Sequence, residues 1–261
     1  MPYSTLKIER DAALAIITLT RPEKRNAISS QMIADLLAAL AETAESLAVR
    51  VVILTGEGKS FCSGMDLDEL RALASRSPAE HLEDSRTMAR LFRTIYSFPK
   101  PLIAAVNGPA IAGGCGLATL ADFTLAVPDA KFGYTEVKIG FIPALVSVFL
   151  RRQIGEKLTR DLCLTGRLFD AAEAKSLGLV NEIVAPAELL NTARTLASTL
   201  LANSPSSLTR TKRLITQMSE ADLDREISMA IEANAAIRAT PDFREGLSSF
   251  LEKRPPHWPG E

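Results

Sequence analysis

The chain has 261 residues, of which 47% are hydrophobic and 23% charged, with a net charge of −1. That length suits one large domain, or one domain with a smaller appendage, and the composition supplies a real core. The near-zero charge gives no electrostatic case for nucleic acid or an anionic membrane. No stretch approaches the roughly 18 apolar residues of a membrane span.

The N-terminal MPYSTLKIERD lacks the apolar run of a signal peptide. Cys62, Cys115 and Cys163 are odd in number and not closely paired, which argues against a disulfide framework and for a reducing, cytoplasmic setting. With only His81 and His257 present, and no ligand-spaced cysteines, no metal site is expected.

In chain order, Leu6 to Glu9 and Leu14 to Leu19 predict two strands around an Arg10-Asp11 turn. Residues 20–26 predict a loop, and Ser29 or Ser30 an N-cap. Ile33, Leu36, Leu37 and Leu40 then follow helical spacing. Val51 to Thr55, ended by Gly56, predicts a buried strand. Met88 to Phe98 predicts a helix, Leu102 to Val106 a strand, Leu117 to Leu120 a helical turn, and Phe123 to Val127 another strand. Beyond about Pro186 only amphipathic helices are expected, at 188–202, 206–218, 222–239 and 242–252; the proline-rich tail 253–261 is expected to be irregular. The fold class is α/β. Its division is placed between a core over 1–195 and a helical region over 196–261.

Three segments carry candidate chemistry. Lys59 to Leu67 follows a buried strand and a glycine turn, and Gly64 lets backbone approach a ligand; taken alone, the segment reads more simply as an ordinary loop with an N-cap at Asp66. Val106 to Leu117 ends a strand with glycines that open a helix, where free N–H groups attract negative charge. The glycine spacing there matches neither a dinucleotide loop nor a P-loop. The third segment, Phe132 to Pro143, sets Glu136 among apolar and turn residues. Burial would raise its pKa as a proton carrier needs, whereas an ion pair with Lys138 would make it an ordinary surface group.

Taken in order, Arg21-Pro22-Glu23-Lys24-Arg25-Asn26-Ala27, F-x-x-G-x-D-L at 61–67, N-G-x-x-x-x-G-G at 107–114, Thr135-Glu136, Leu164-Thr165-Gly166-Arg167 and Phe250 to Arg254 resemble the enoyl-CoA hydratase/isomerase (crotonase) superfamily. The resemblance implies a spiral of ββα units followed by a helical trimerisation region, and a homotrimer or hexamer. It implies an acyl-CoA substrate in which coenzyme A is part of the substrate, with no separate cofactor. It places oxyanion-hole N–H groups on Met65 and Gly113 and a catalytic carboxylate at Glu136. The CoA and acyl portions would lie along Lys24, Arg25, Ala27, Ser63, Gly64, Asp66, Leu67, Gly114, Gly116, Phe250 and Lys253.

Two departures stand out. Gly116 occupies the position where typical hydratases carry a second glutamate, and Ala144-Leu145-Val146-Ser147 replaces a glycine-rich run. The leading reading is hydration of a 2-enoyl-CoA. The alternative is Δ3,Δ2-isomerisation with Glu136 as sole base. A reading of another class is an RNA-associated or non-catalytic CoA-binding relative, suggested by Arg151, Arg152, Lys157, Arg160, Arg210, Lys212 and Arg213.

Overall fold

The computed structural model describes residues 3–73 and 75–260. Alternating apolar side chains on β1 (Leu6–Asp11) meet the fully buried β2 (Leu14–Leu19) in an antiparallel hairpin. The turn lies at Ala12-Ala13, two residues beyond the expected Arg10-Asp11, with Ala12 at φ 51°. Strand pairing through Asp11↔Leu14 outweighs the polar character of residues 10–11.

Ser29 caps α1 (Ser30–Glu45) by accepting the Met32 N–H, and α1 crosses back to β3 (Val51–Gly56), which is parallel to β2. Next come α2 (Leu67–Leu73) and α3 (Pro78–Tyr96), leading to β4 (Leu102–Val106), parallel to β3. α3 starts ten residues before the expected Met88. Ser77 and Glu80 form a reciprocal capping box there, with Pro78 in the first turn.

β5 (Ala110–Ile111), α4 (Gly113–Thr119) and β6 (Phe123–Ala126) follow, then β7 (Lys131–Gly133) and α5 (Ala144–Thr165). Residues 144–165 received no expected element. Gly155, at φ 77°, divides this long helix into two runs whose apolar faces do not share one period. β8 (Phe169–Asp170), α6 (Ala171–Ser176) and β9 (Glu182–Ile183) complete the core segments.

The main sheet has the order β1-β2-β3-β4-β6-β9, and a smaller sheet has the order β5-β7-β8. Buried Ile, Val, Leu and Ala side chains on both faces of β2, β3 and β4 form the core.

The expected C-terminal helices are α7 (Leu189–Leu201), α8 (Pro205–Gln217), α9 (Glu220–Ala236) and α10 (Pro241–Glu252). α7 carries the chain unbroken across residues 195 and 196. α9 packs on α3 and α5, and α10 packs on the 3₁₀ turn Glu136–Ile139. Residues 253–260 are irregular, as expected; Glu261 lies outside the described residues.

Candidate active site

Three chain segments run side by side in parallel. Cys62 bridges to Ala110, and Ala110 pairs with Phe132. Three residues beyond the first two of these positions stand Met65 and Gly113, and four beyond the third stands Glu136. Strand pairing thus brings to one end of the small sheet groups that lie far apart in sequence.

Met65 forms a parallel bridge with Ile28, but the bonds are made by its neighbours: the Ile28 N–H donates to the Gly64 carbonyl at 2.7 Å, and the Asp66 N–H to the Ile28 carbonyl at 2.8 Å. Alternation along extended backbone turns the Met65 N–H to the other side. Gly113 opens α4, where an N–H has no intrahelical acceptor. The residue before it, Ala112, is held at φ 51°, ψ −124°, a region costly for a residue with a side chain. The Ala112 N–H donates to the Gly133 carbonyl at 2.7 Å, which helps fix that conformation. Neither the Met65 nor the Gly113 N–H meets an acceptor among the described residues. Ile28 lies beside both: its Cδ1 would stand 3.2 Å from a β-carbon on Gly113.

Glu136 begins its 3₁₀ turn and is buried, 9% exposed. Its Oε2 has no hydrogen-bond partner among the described residues. Burial pushes its pKa up to about 7, opposed in part by a hydrogen bond from backbone. The surface pairing with Lys138 is therefore not the arrangement formed. The carboxyl borders a cavity of about 650 Å³, which Met65 and Gly113 also line. That volume falls in the range of small-molecule sites.

The other expected residues divide. Lys24, Arg25 and Lys253 bring cationic groups to the cavity, all on exposed residues, with Phe250 beside them. Lys24 also pairs with Asp68 at 3.0 Å. Ala27, Ser63, Asp66 and Leu67 line the cavity too. The Asp66 carboxylate is engaged structurally, accepting from Arg21 Nη2 at 2.6 Å and from the Asp68 N–H at 2.9 Å.

Gly64, Gly114 and Gly116 do not line it. They serve close packing: a β-carbon on Gly114 would stand 2.2 Å from the Cys62 carbonyl oxygen, and one on Gly116 2.8 Å from Val146 Cγ1. Gly64, at φ 85°, lies against Ile111 and Ala112.

Sequence reasoning missed the walls. Met88 and Phe92 from α3, with Leu145 and Val146 from α5, supply apolar surface, and Asp84, Asn234 and Arg238 supply polar surface. Leu145 and Val146 belong to the run that replaces the family's glycines; the others are brought together only by long-range packing. Asp68 pairs with Arg71 as well as Lys24, and Glu69 with Arg76; neither lines the cavity. Cys62, Cys115 and Cys163 are buried, and burial pushes each thiol up to about 12.

The chain matches the enoyl-CoA hydratase/isomerase family over residues 9–261, and it belongs to that family. A Thermus thermophilus relative with a provisional enoyl-CoA hydratase name is 46% identical over 245 residues, covering 94% of this chain and 97% of its own. A crotonyl-CoA hydratase from Syntrophomonas wolfei is 34% identical, with 97% of both chains covered. Among solved structures, an enoyl-CoA hydratase/isomerase from Xanthobacter autotrophicus superposes with a TM-score of 0.89 at 30% identity, covering 97% of this chain and 98% of that one.

Proposed function

We infer that the protein hydrates a 2-enoyl-CoA. The observation that carries this reading is the buried Glu136 carboxyl, unpaired at Oε2, on the same cavity as two backbone N–H groups that lack acceptors. The thioester oxygen accepts from the Met65 and Gly113 N–H groups. Glu136, as carboxylate, takes a proton from water while the water oxygen bonds to C3. The C2–C3 π pair moves toward the thioester, and the enolate charge rests between the two amides. Glu136 then returns its proton to C2, so the carboxylate is regenerated and one molecule of water has been added. A donor of this kind is worth roughly 2.7–4 kcal/mol in the transition state.

A specific observation favours a second reading. Val146 and Phe92 occupy the space beside Gly116, so no second carboxylate enters there. One base suffices to carry a proton between C2 and C4, which is Δ3,Δ2-isomerisation. Purified protein assayed with crotonyl-CoA and with a 3-enoyl-CoA separates the two. Faster turnover of crotonyl-CoA is expected; faster isomerisation, or no turnover of crotonyl-CoA, contradicts hydration.

The RNA reading has less support. Arg151 and Arg152 both pair with Glu226, and Lys212 pairs with Asp122. Self-association is proposed from α8, which buries none of its residues within the chain and exposes Leu214 and Ile215. No helix among the described residues is long and apolar enough to cross a membrane. The cytoplasmic location proposed from the cysteine pattern is tested by fractionation.

A further inference from the structure

Among the described residues, the non-glycine residues with positive φ are Ala12, Arg25, Asn26, Ala112 and Lys253. Three of them, Arg25, Ala112 and Lys253, border the cavity. Such backbone is unfavourable for a residue with a side chain. It persists where the surrounding structure over-determines it, as at ligand clamps. Ala112 sets the Gly113 amide. Arg25 and Lys253 bring cations to the exposed edge of the cavity. Neither forms an ion pair among the described residues, whereas Lys24 pairs with Asp68. Lys253 ends α10 at φ 56°, ψ 39°, and no contact of its own ammonium accounts for that turn.

The residues on either side of Lys253 do account for it. The Lys253 N–H donates to the Phe250 carbonyl at 3.3 Å, and the Arg254 N–H to the Ser249 carbonyl at 3.0 Å, which closes the helix through a left-handed residue. The chain then runs back along α10. Arg254 Nη1 and Nη2 donate to Glu245 Oε1 and Oε2 at 2.6 and 2.9 Å, a two-pronged fork. The His257 N–H donates to the same carboxylate at 2.7 Å, and the Gly260 N–H to Asp242 Oδ1 at 2.9 Å. Hydrogen bonds from Arg254 and His257 hold the Glu245 carboxyl down at about 2, so the fork stays charged at neutral pH. Arg254 Nε and Ser248 Oγ both donate to Glu252, at 2.6 and 2.7 Å. The acid next to Lys253 is therefore occupied without neutralising it. A lone exposed ion pair fixes little, but a bidentate guanidinium within a network fixes geometry.

We propose that Arg254 and Glu245 are positioning residues for substrate binding: their fork locks the left-handed turn that sets Lys253, with Arg25, against the phosphate groups of the CoA portion. This rests on the acyl-CoA reading of the same cavity. The test measures binding of butyryl-CoA, which is saturated and cannot be hydrated, to the full chain by calorimetry. Wild type, Arg254→Ala, Lys253→Met and the double variant are compared. Arg254→Ala is expected to weaken binding about ten-fold, the effect of one charge-assisted hydrogen bond. In the Lys253→Met background the same change is expected to alter affinity by less than about two-fold, because its effect passes through Lys253. A loss of equal size in both backgrounds would make Arg254 a structural residue only and overturns the proposal, as does wild-type affinity in Arg254→Ala. Glu245→Ala, which removes the other half of the fork, is expected to repeat the loss; unchanged affinity there also overturns it. A wild type that binds no butyryl-CoA at all removes the acyl-CoA reading itself, and the proposal with it.

Discussion

Gly246 on α10 lies flat against the backbone of Ile139: a β-carbon built on Gly246 would stand 2.3 Å from the Ile139 carbonyl carbon. Ile139 ends the 3₁₀ turn that Glu136 begins. The next residue, Gly140, is held at φ 65° against the Asp242 carbonyl. The last helix therefore presses directly on the turn that sets the carboxyl. Gly246→Ala forces backbone apart and is expected to destabilise the fold by about 1–3 kcal/mol. Denaturant melts give the stability change. Because the turn must shift, turnover should fall by more than the unfolded fraction accounts for.

Glu136→Gln is expected to lower kcat by about 10²–10⁴-fold while the far-UV spectrum and melting cooperativity are retained. A variant that keeps near-normal turnover would show that the proton carrier lies elsewhere.

The raised pKa of Glu136 has a signed consequence. The folded state holds the proton up to about pH 7, whereas the exposed group releases it near 4.5. The stabilisation from this group is therefore complete below pH 4.5, falls between 4.5 and 7, and is absent above 7. Relative to Glu136→Gln, the wild type should lose stability across that window. Activity runs the other way: a base must be ionised, so kcat/KM should rise with pH through about 7. A flat profile across that range would oppose the assignment.

Much of this site was legible as pieces and little of it as an arrangement. Glycines at 64 and 113 and the strand-ending Asn107-Gly108 mark two segments locally, and the apolar setting of Glu136 marks the third. The register that joins them depends on Cys62↔Ala110 and Ala110↔Phe132, pairings made between residues far apart in sequence. The polar wall is hidden for the same reason, since Asp84 and Arg238 meet only when α9 packs on α3. By contrast, the start of α3 is written locally in Ser77-Pro78 and Glu80, although the polar run at 78–87 carries too weak an apolar period to show the helix. The C-terminal helices were readable because each has its own amphipathic period.

Asp66 links the loop before α1 to the start of α2 through Arg21, and it borders the Met65 amide in sequence. Asp66→Ala strands the largely buried Arg21 side chain and removes a cap. A loss of about 3 kcal/mol is expected, the lower end for a broken buried pair. Urea melts measure it, and Asp66→Asn should recover part by keeping the cap.

Restoring a second carboxylate at Gly116 should fail by itself. The position is closed by Val146 Cγ1 at 2.8 Å and Phe92 Cζ at 3.0 Å from a notional β-carbon. Gly116→Glu is expected to lower both stability and turnover, by about 1–3 kcal/mol in stability for overpacking. Val146→Gly in the same chain should relieve the clash, and thermal melts of the single and double variants read the difference.

The most direct test is a crystal structure with a bound saturated acyl-CoA. The account predicts the thioester oxygen at about 2.7–3.1 Å from both the Met65 and Gly113 nitrogens, with Glu136 facing C2 and C3. A thioester oxygen that meets neither nitrogen, or an acyl chain lying outside the cavity that Glu136 borders, would contradict it.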